Sequence, residues 1–354
     1  MTQKKIVAVD LFCGVGGLTF GLERSGIEVR LGVDIEAACQ HPLVKNTRAK
    51  FLHADVLNLR AENILEVFDN QKINLLAGCA PCQPFSTYSR SSKKSAREAE
   101  HAAGQSDWAL VERFGWLVRK TKPDLVTMEN VPPLQYTPVF QKLLSDLSDY
   151  YIDYRVVECA AIGLPQARKR LVLVASKLGD IQWPEMSFER STVRQTISHL
   201  PRISAGGQDP NDSLHRASKL SKTNTKRIKA SVPGGTWRDW PQSLRAKCHN
   251  KDSGATYPSV YGRMEWDKPS PTITTQCFGY GNGRFGHPDQ DRAISLREAA
   301  MLQGFPRDYS FIEDGTPVSF SKLGRLIGNA VPVTLGEVIG KVLTEHAMSV
   351  TSPN

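Results

Sequence analysis

An apolar run from Ile6 to Phe12 closes on a glycine cluster, and a segment of helical spacing follows from Leu18 to Ser25, ended by Gly26. A short, nearly unbroken apolar run suits a strand buried on both faces, and such strands occur in parallel sheets covered by helices. Glycines between strand and helix let the backbone turn sharply and approach a ligand. Further strand candidates stand at Val29 to Val33, Lys72 to Ala77, Lys122 to Met128 and Arg170 to Ala175, separated by helical segments. The alternation predicts an α/β fold, a Rossmann-like doubly wound sheet.

The alternation stops near Ser187. From there to about Arg292 the chain is rich in Gly, Pro, Ser, Asn and Trp and has no sustained helical period. A second, smaller domain of short strands and loops is expected there. Helical spacing returns at Ser295 to Gln303 and at Leu335 to His346. The expected division is 1–186 for the first domain, 187–292 for the second, and 293–354 for a return to the first.

The whole chain carries 45 Lys or Arg against 36 Asp or Glu, an excess of +9. Residues 213 to 251 hold ten of those cations (among them Lys226, Arg227 and Lys229) and the single acid Asp239, so this segment equals the excess of the entire chain. A block this lopsided, interleaved with Trp237 and Trp240, fits a surface that tracks phosphates. At 40% hydrophobic and 23% charged residues, the chain is not a disordered polyelectrolyte. No stretch of the sequence approaches the roughly 20 apolar residues of a membrane span. Met1 to Asp10 meets an acid after four apolar residues, unlike a secretory leader. A cytoplasmic, nucleoid-associated protein with reduced cysteines is expected.

Asp10 stands just before the glycine turn Gly14, Gly16, Gly17. A carboxylate there would repel a pyrophosphate and suits a cationic ligand end, such as the amino group or sulfonium of S-adenosylmethionine. Asp34 ends the second strand, where an acid commonly takes ribose hydroxyls, and Asp55 follows a further short strand, where it could accept from an adenine amino group. Each acid alone reads equally as a helix cap or a surface charge; three at successive strand ends favour the cofactor.

Gly78-Cys-Ala-Pro-Cys-Gln-Pro-Phe-Ser86 follows an apolar strand, at the end where ligands collect in open α/β sheets. Cys79 and Cys82 form a C-x-x-C pair. A zinc site would want two more ligands at tight spacing, and none is present, so no metal is expected. The spacing leaves two readings about even: a redox pair, or a lone nucleophile Cys82 beside a small buried Cys79.

At this point the chain resembles the cytosine-C5 DNA methyltransferases, as a single-chain bacterial modification methylase. Pro81-Cys82-Gln83 with Phe85-Ser86 looks like their nucleophile loop, Glu129-Asn130-Val131 like their acid motif, and Gln166-Ala-Arg-Lys-Arg170 like their basic motif. Arg297 to Pro306 resembles the helix after their recognition domain, and Gly328-Asn-Ala-Val-Pro332 their last motif. The strings stand in the family's order from about Ile6 to Gly336, and the likeness thins between about Ser187 and Tyr257. In this chain Ile35 stands where an aromatic often stacks on adenine, and Ala80 where the loop often has proline.

The resemblance implies a methyltransferase fold with a target-recognition domain, S-adenosylmethionine as cofactor and double-stranded DNA as partner. It implies a monomer without a membrane, with a cognate restriction endonuclease acting separately as a further partner. For catalysis it implies Cys82 as nucleophile, Glu129 as the acid at cytosine N3, Arg168 holding the base and orienting Glu129, and Arg170 steadying the loop. For the cofactor it implies Asp10, Phe12, Cys13, Gly14 and Gly17 at the turn, and Asp34 with Ile35. Asp55 with Val56, Pro81, and Asn329 with Ala330 complete that set. DNA contacts are expected from Gln83, Ser86, Lys93 and Lys94 just after the nucleophile, from Lys226, Arg227 and Lys229, and from Arg284 in a glycine-rich stretch. An RNA cytosine methyltransferase on the same scaffold, or a non-catalytic DNA-binding derivative, is the alternative.

Overall fold

A computed structural model describes residues 5–81, 105–251, 254 and 257–351. The chain divides into two compact units. The first comprises Met1–Glu158, Lys169–Ser187 and Val333–Asn354; the second comprises Cys159–Arg168 and Phe188–Pro332.

In the first unit the strands are β1 (Ile6–Leu11), β2 (Glu28–Asp34), β3 (Lys50–His53), β4 (Ile73–Gly78), β5 (Leu125–Asn130), β6 (Tyr151–Glu158) and β7 (Lys169–Ser176). They form one sheet in the order β3-β2-β1-β4-β5-β7-β6. The pairs from β3 to β5 are parallel, whereas β7 runs antiparallel to both β5 and β6. All six residues of β1 and all six of β5 are buried, as strands covered on both faces must be. The strand order reverses between β1 and β4, so the connections leaving them diverge and open a crevice at their C-terminal ends. Asp10 pairs with Ala77 and Leu11 with Gly78 at that edge.

The glycine turn opens into helix α1 (Gly17–Arg24), with Gly14 at φ 53° and Gly16 at φ 88°, conformations that favour glycine. Phe12, also at positive φ (59°), is an exception. Helix α1 lies against the C-terminal helix Val333–Thr351. A Cβ on Gly21 would stand 2.5 Å from the carbonyl oxygen of Val333, so only glycine allows this approach. The stretch Phe320–Val350 has the length and hydropathy of a membrane span, which the reading by apolar runs did not anticipate. Its most apolar window is 78% buried within the protein, as befits core helices.

The second unit has only two-residue to five-residue strands, paired Gln208–Asp209 with Asp212–Arg216 and Ser270–Pro271 with Gln166–Ala167. It also contains the helix Lys222–Lys229, in the basic segment where no helical period is evident. Only Ile228 of that helix is buried, which leaves almost no apolar periodicity to read. By contacts, 293–332 belongs to this unit and not to the first. Arg297 there pairs with Asp212, and Ser295 bonds His215, tying the segment to the strand Asp212–Arg216 of this unit.

Candidate active site

Asp10, fully buried at the end of β1, accepts a 2.6 Å hydrogen bond from the Thr19 hydroxyl on its Oδ2. Its Oδ1 has no hydrogen-bond partner among the described residues. Burial, only partly offset by the Thr19 bond, pushes its pKa up to about 7, and the charge of Asp34 adds to the rise. Asp34 is braced by backbone: its Oδ2 accepts from the Gly14 amide at 2.9 Å and its Oδ1 from the Glu36 amide at 2.8 Å. This is how the turn and the end of β2 are joined. Cys13 lies buried beside them, its thiol pushed well up by burial and by Asp10 and Asp34.

Ile35 is 66% exposed, an open apolar side chain next to Asp34. Asp55 caps the short turn Val56–Asn58, its Oδ1 accepting from the Leu57 amide at 2.9 Å; Val56 is buried. The cap role and an accepting role toward a ligand coexist on one carboxylate, which has about four lone-pair sites. A cavity of about 860 Å³ lies at the other end of β1, around Lys5, Ile6, Arg24 and Arg48, and no candidate site residue lines it. Among the described residues no cluster of three metal-ligating side chains occurs.

On the other side of the switch point, Glu129 ends β5 with 3% exposure. It pairs across the ladder with Val172, and Arg170 lies two residues along β7 on the same face. That register brings Arg170 Nε to 2.7 Å from Glu129 Oε1. The N–H is not aligned on the oxygen, so the contact is a close charge pair without a hydrogen bond at Oε1. Glu129 Oε2 accepts from the Cys79 thiol at 2.7 Å. The neighbouring Asn130 donates from Nδ2 to the Ala80 carbonyl at 2.9 Å, and the Cys79 amide donates to the Leu11 carbonyl at 3.2 Å. The stem 79–81 is therefore tied to β1 and β5. Pro81, exposed, is its last described residue; Cys82, Gln83, Ser86, Lys93 and Lys94 lie outside the described residues.

Of the two arginines, Arg170 pairs with Glu129 by this register. Gln166, Arg168 and Arg170 alternate as one strand face would, but the chain leaves the two-residue ladder of the second unit at Ala167 and enters β7 at Lys169. Arg168 is buried in the second unit and donates to the Ile273 carbonyl at 3.1 Å. Spacing does not reveal where a strand changes sheet. Asn329, exposed, and Ala330, buried, end the helix Phe320–Asn329 of the second unit.

Of the expected DNA contacts, Lys226 and Lys229 are exposed. Arg227 is not free for that task. Its Nε donates to the Leu244 carbonyl at 2.8 Å and its guanidinium stacks on the Tyr261 ring at 5.0 Å, bracing a cluster with Trp240 and Ile228. Arg284 is likewise committed, donating to the Gly235 carbonyl at 2.7 Å. The roles of Thr19, Asn130 and Cys79 went unassigned in the sequence. Thr19, a hydroxyl among apolar helix residues, is the one that pattern could have found.

A crevice at the switch point of a doubly wound sheet, with acids at the C-terminal ends of β1, β2 and β5, two of them buried, defines an α/β ligand-binding architecture. The family model of C-5 cytosine-specific DNA methylases matches residues 6–345. Over 341 residues the chain is 47% identical to the type II methylase M.HgiDII of Herpetosiphon aurantiacus, covering 94% of this chain and 93% of that one. It is 29% identical over 347 residues to the type II methyltransferase M1.HphI of Haemophilus parahaemolyticus, at 95% and 86% coverage. A crystal structure assigned as a prophage-encoded DNA modification methyltransferase of E. coli shares the fold, with TM-score 0.74, 24% identity, and 98% and 100% coverage. The chain belongs to the C-5 cytosine-specific DNA methylases. Its reaction is the methylation of cytosine C5 in DNA.

Proposed function

We propose that the protein methylates C5 of a cytosine turned out of a specific double-stranded DNA sequence, with S-adenosylmethionine as donor and Cys82 as nucleophile. The observation that carries this reading is the pinning of the stem 79–81 against the acid: Cys79 Sγ on Glu129 and Ala80 O on Asn130. It holds the residues just before Cys82 in the chain against a buried carboxyl.

The acids fit the donor. Asp10 Oδ1, buried and without a partner, suits a cationic amino group; braced Asp34 suits ribose hydroxyls; exposed Ile35 offers an apolar face to an adenine ring. Bound there, S-adenosylmethionine supplies an electrophilic methyl group on a sulfonium.

Cytosine C5 is a poor nucleophile. Addition of the Cys82 thiolate to C6 makes C5 an enamine carbon and drives charge toward N3, where Glu129 donates a proton or a hydrogen bond. Arg170 holds that carboxyl from the Oε1 side. Once C5 has taken the methyl group, loss of the C5 proton and expulsion of the thiolate from C6 restore the ring as 5-methylcytosine. A stacked base hides C6, so the cytosine must leave the duplex, at a few kcal/mol. The second unit acts as the target-recognition domain, with Lys226 and Lys229 on phosphates. The protein works as a monomer in the cytoplasm, at the nucleoid, with a separate restriction endonuclease as its counterpart.

The test is a duplex library carrying 5-fluorocytosine, incubated with protein and S-adenosylmethionine. Fluorine cannot leave as a proton does, so a covalent protein–DNA species should accumulate, with Cys82 as the modified residue by peptide mass. A Cys82→Ser variant that still formed the adduct would overturn the assignment.

A further inference from the structure

The mechanism above leaves a half-buried thiol next to the acid unused. Cys79 stands three residues before the nucleophile, and its thiol donates to Glu129 Oε2 at 2.7 Å. Its amide is held by Leu11 O, and the next carbonyl, that of Ala80, by Asn130. The thiol is thus fixed from both sides, and it approaches the one carboxyl oxygen that Arg170 does not face.

We propose that Cys79 is a positioning residue for Glu129: its thiol hydrogen bond fixes the carboxyl's orientation. The proposal rests on Glu129 being the acid at N3. The charged or titratable groups around the pair within the first unit are Arg170 on β7 and Asp10 at the end of β1. Burial, followed by the Glu129 charge, pushes the Cys79 thiol well up, so it stays a neutral donor and does not compete with Cys82 as a thiolate. When a base arrives, the same oxygen must turn from the thiol to N3, so the thiol holds the place of the substrate's ring nitrogen in the resting enzyme.

The experiment measures methyl transfer from S-adenosylmethionine to unmethylated genomic DNA across pH, for the parent, Cys79→Ala, Cys79→Ser and Glu129→Gln. Cys79→Ala should keep KM for both substrates near the parent value. It should lower kcat a few-fold. Cys79→Ser restores a donor and should bring kcat back toward the parent value. In the Glu129→Gln background, Cys79→Ala should change nothing further. Superimposable profiles for Cys79→Ala and the parent would overturn the proposal, as would a Ser variant no better than Ala. Near-normal turnover by Glu129→Gln would instead overturn the role of Glu129 itself, a result separable from the first.

Discussion

Glu298 in the second unit is enclosed as completely as Asp10 in the first, yet their proton affinities move in opposite directions. Glu298 accepts two 2.7 Å hydrogen bonds from Arg292, itself wholly buried, and a third from the Ser295 amide. These outweigh burial and bring its pKa down to about 2. Asp10 has one hydroxyl on one oxygen and nothing on the other, and burial raises it to about 7. Arg263 in the second unit is partnered as fully as Glu298. Arg263 donates to the carbonyls of Ile228, Ser231, His287 and Gln290 and pairs with Asp291. A buried charge that the fold has fully partnered is architecture. One left short of partners awaits a ligand.

The sharpest break of this comparison is Glu298→Ala. Removing one side of a buried pair strands the other charge and costs about 3–5 kcal/mol. The unfolding midpoint in denaturant should therefore fall steeply. A loss below about 1 kcal/mol would mean that the pair is not what holds the recognition unit.

Glu129→Gln should do the reverse. Turnover should fall by about two orders of magnitude or more, with little change in stability or in cofactor binding. Retained turnover would place Glu129 with the architectural acids.

Asp10 separates the two classes by pH. Its folded pKa of about 7 lies above the ordinary 3.8, so it stabilises the unliganded protein below about pH 4, and that contribution is lost as pH rises through about 7. Glu298, lowered from 4.5, stabilises above about pH 4.5 and loses that contribution as pH falls toward 2. Asp10→Asn should remove the first dependence and keep the second, read as unfolding free energy against pH. A cationic ligand end selects the ionised Asp10, so S-adenosylmethionine affinity by calorimetry should weaken, by up to about tenfold per unit, as pH drops below 7. An affinity flat from pH 6 to 8 would remove Asp10 from the cofactor site.

The smallest effects belong to the surface. Replacing Lys226 and Lys229 by Ala should leave folding intact and flatten the dependence of log K on log salt by about 0.9 for each phosphate no longer neutralised. Arg227→Ala should chiefly loosen the Trp240–Tyr261 cluster and lower the melting temperature. An unchanged salt slope in the double lysine variant would move the DNA face elsewhere on the protein.

What could be read in advance was what local periodicity and order along the chain encode. A buried strand announces itself by an apolar run, so β1, β2, β4, β5 and β7 were legible to within a few residues. A strand end beside an acid or a glycine turn marked Asp10, Asp34 and Asp55, because parallel sheets collect ligands there, whereas Glu129 was marked only by the family motif Glu129-Asn130-Val131. Pairings between distant segments were not legible. Cys79 and Glu129 are fifty residues apart, and only the parallel β4–β5 register sets them against each other. Arg170 reaches Glu129 through the β5–β7 register, and the chain enters that sheet only at Lys169, a change that two-residue alternation hides. The basic segment read as a uniform surface, yet three-dimensional packing separated Arg227, spent on a carbonyl and an aromatic ring, from Lys226 and Lys229. A sequence fixes which side chains carry charge and where the chain can turn. Which of those charges are neutralised internally, and which are left for a ligand, depends on partners that only the folded chain brings within hydrogen-bond range.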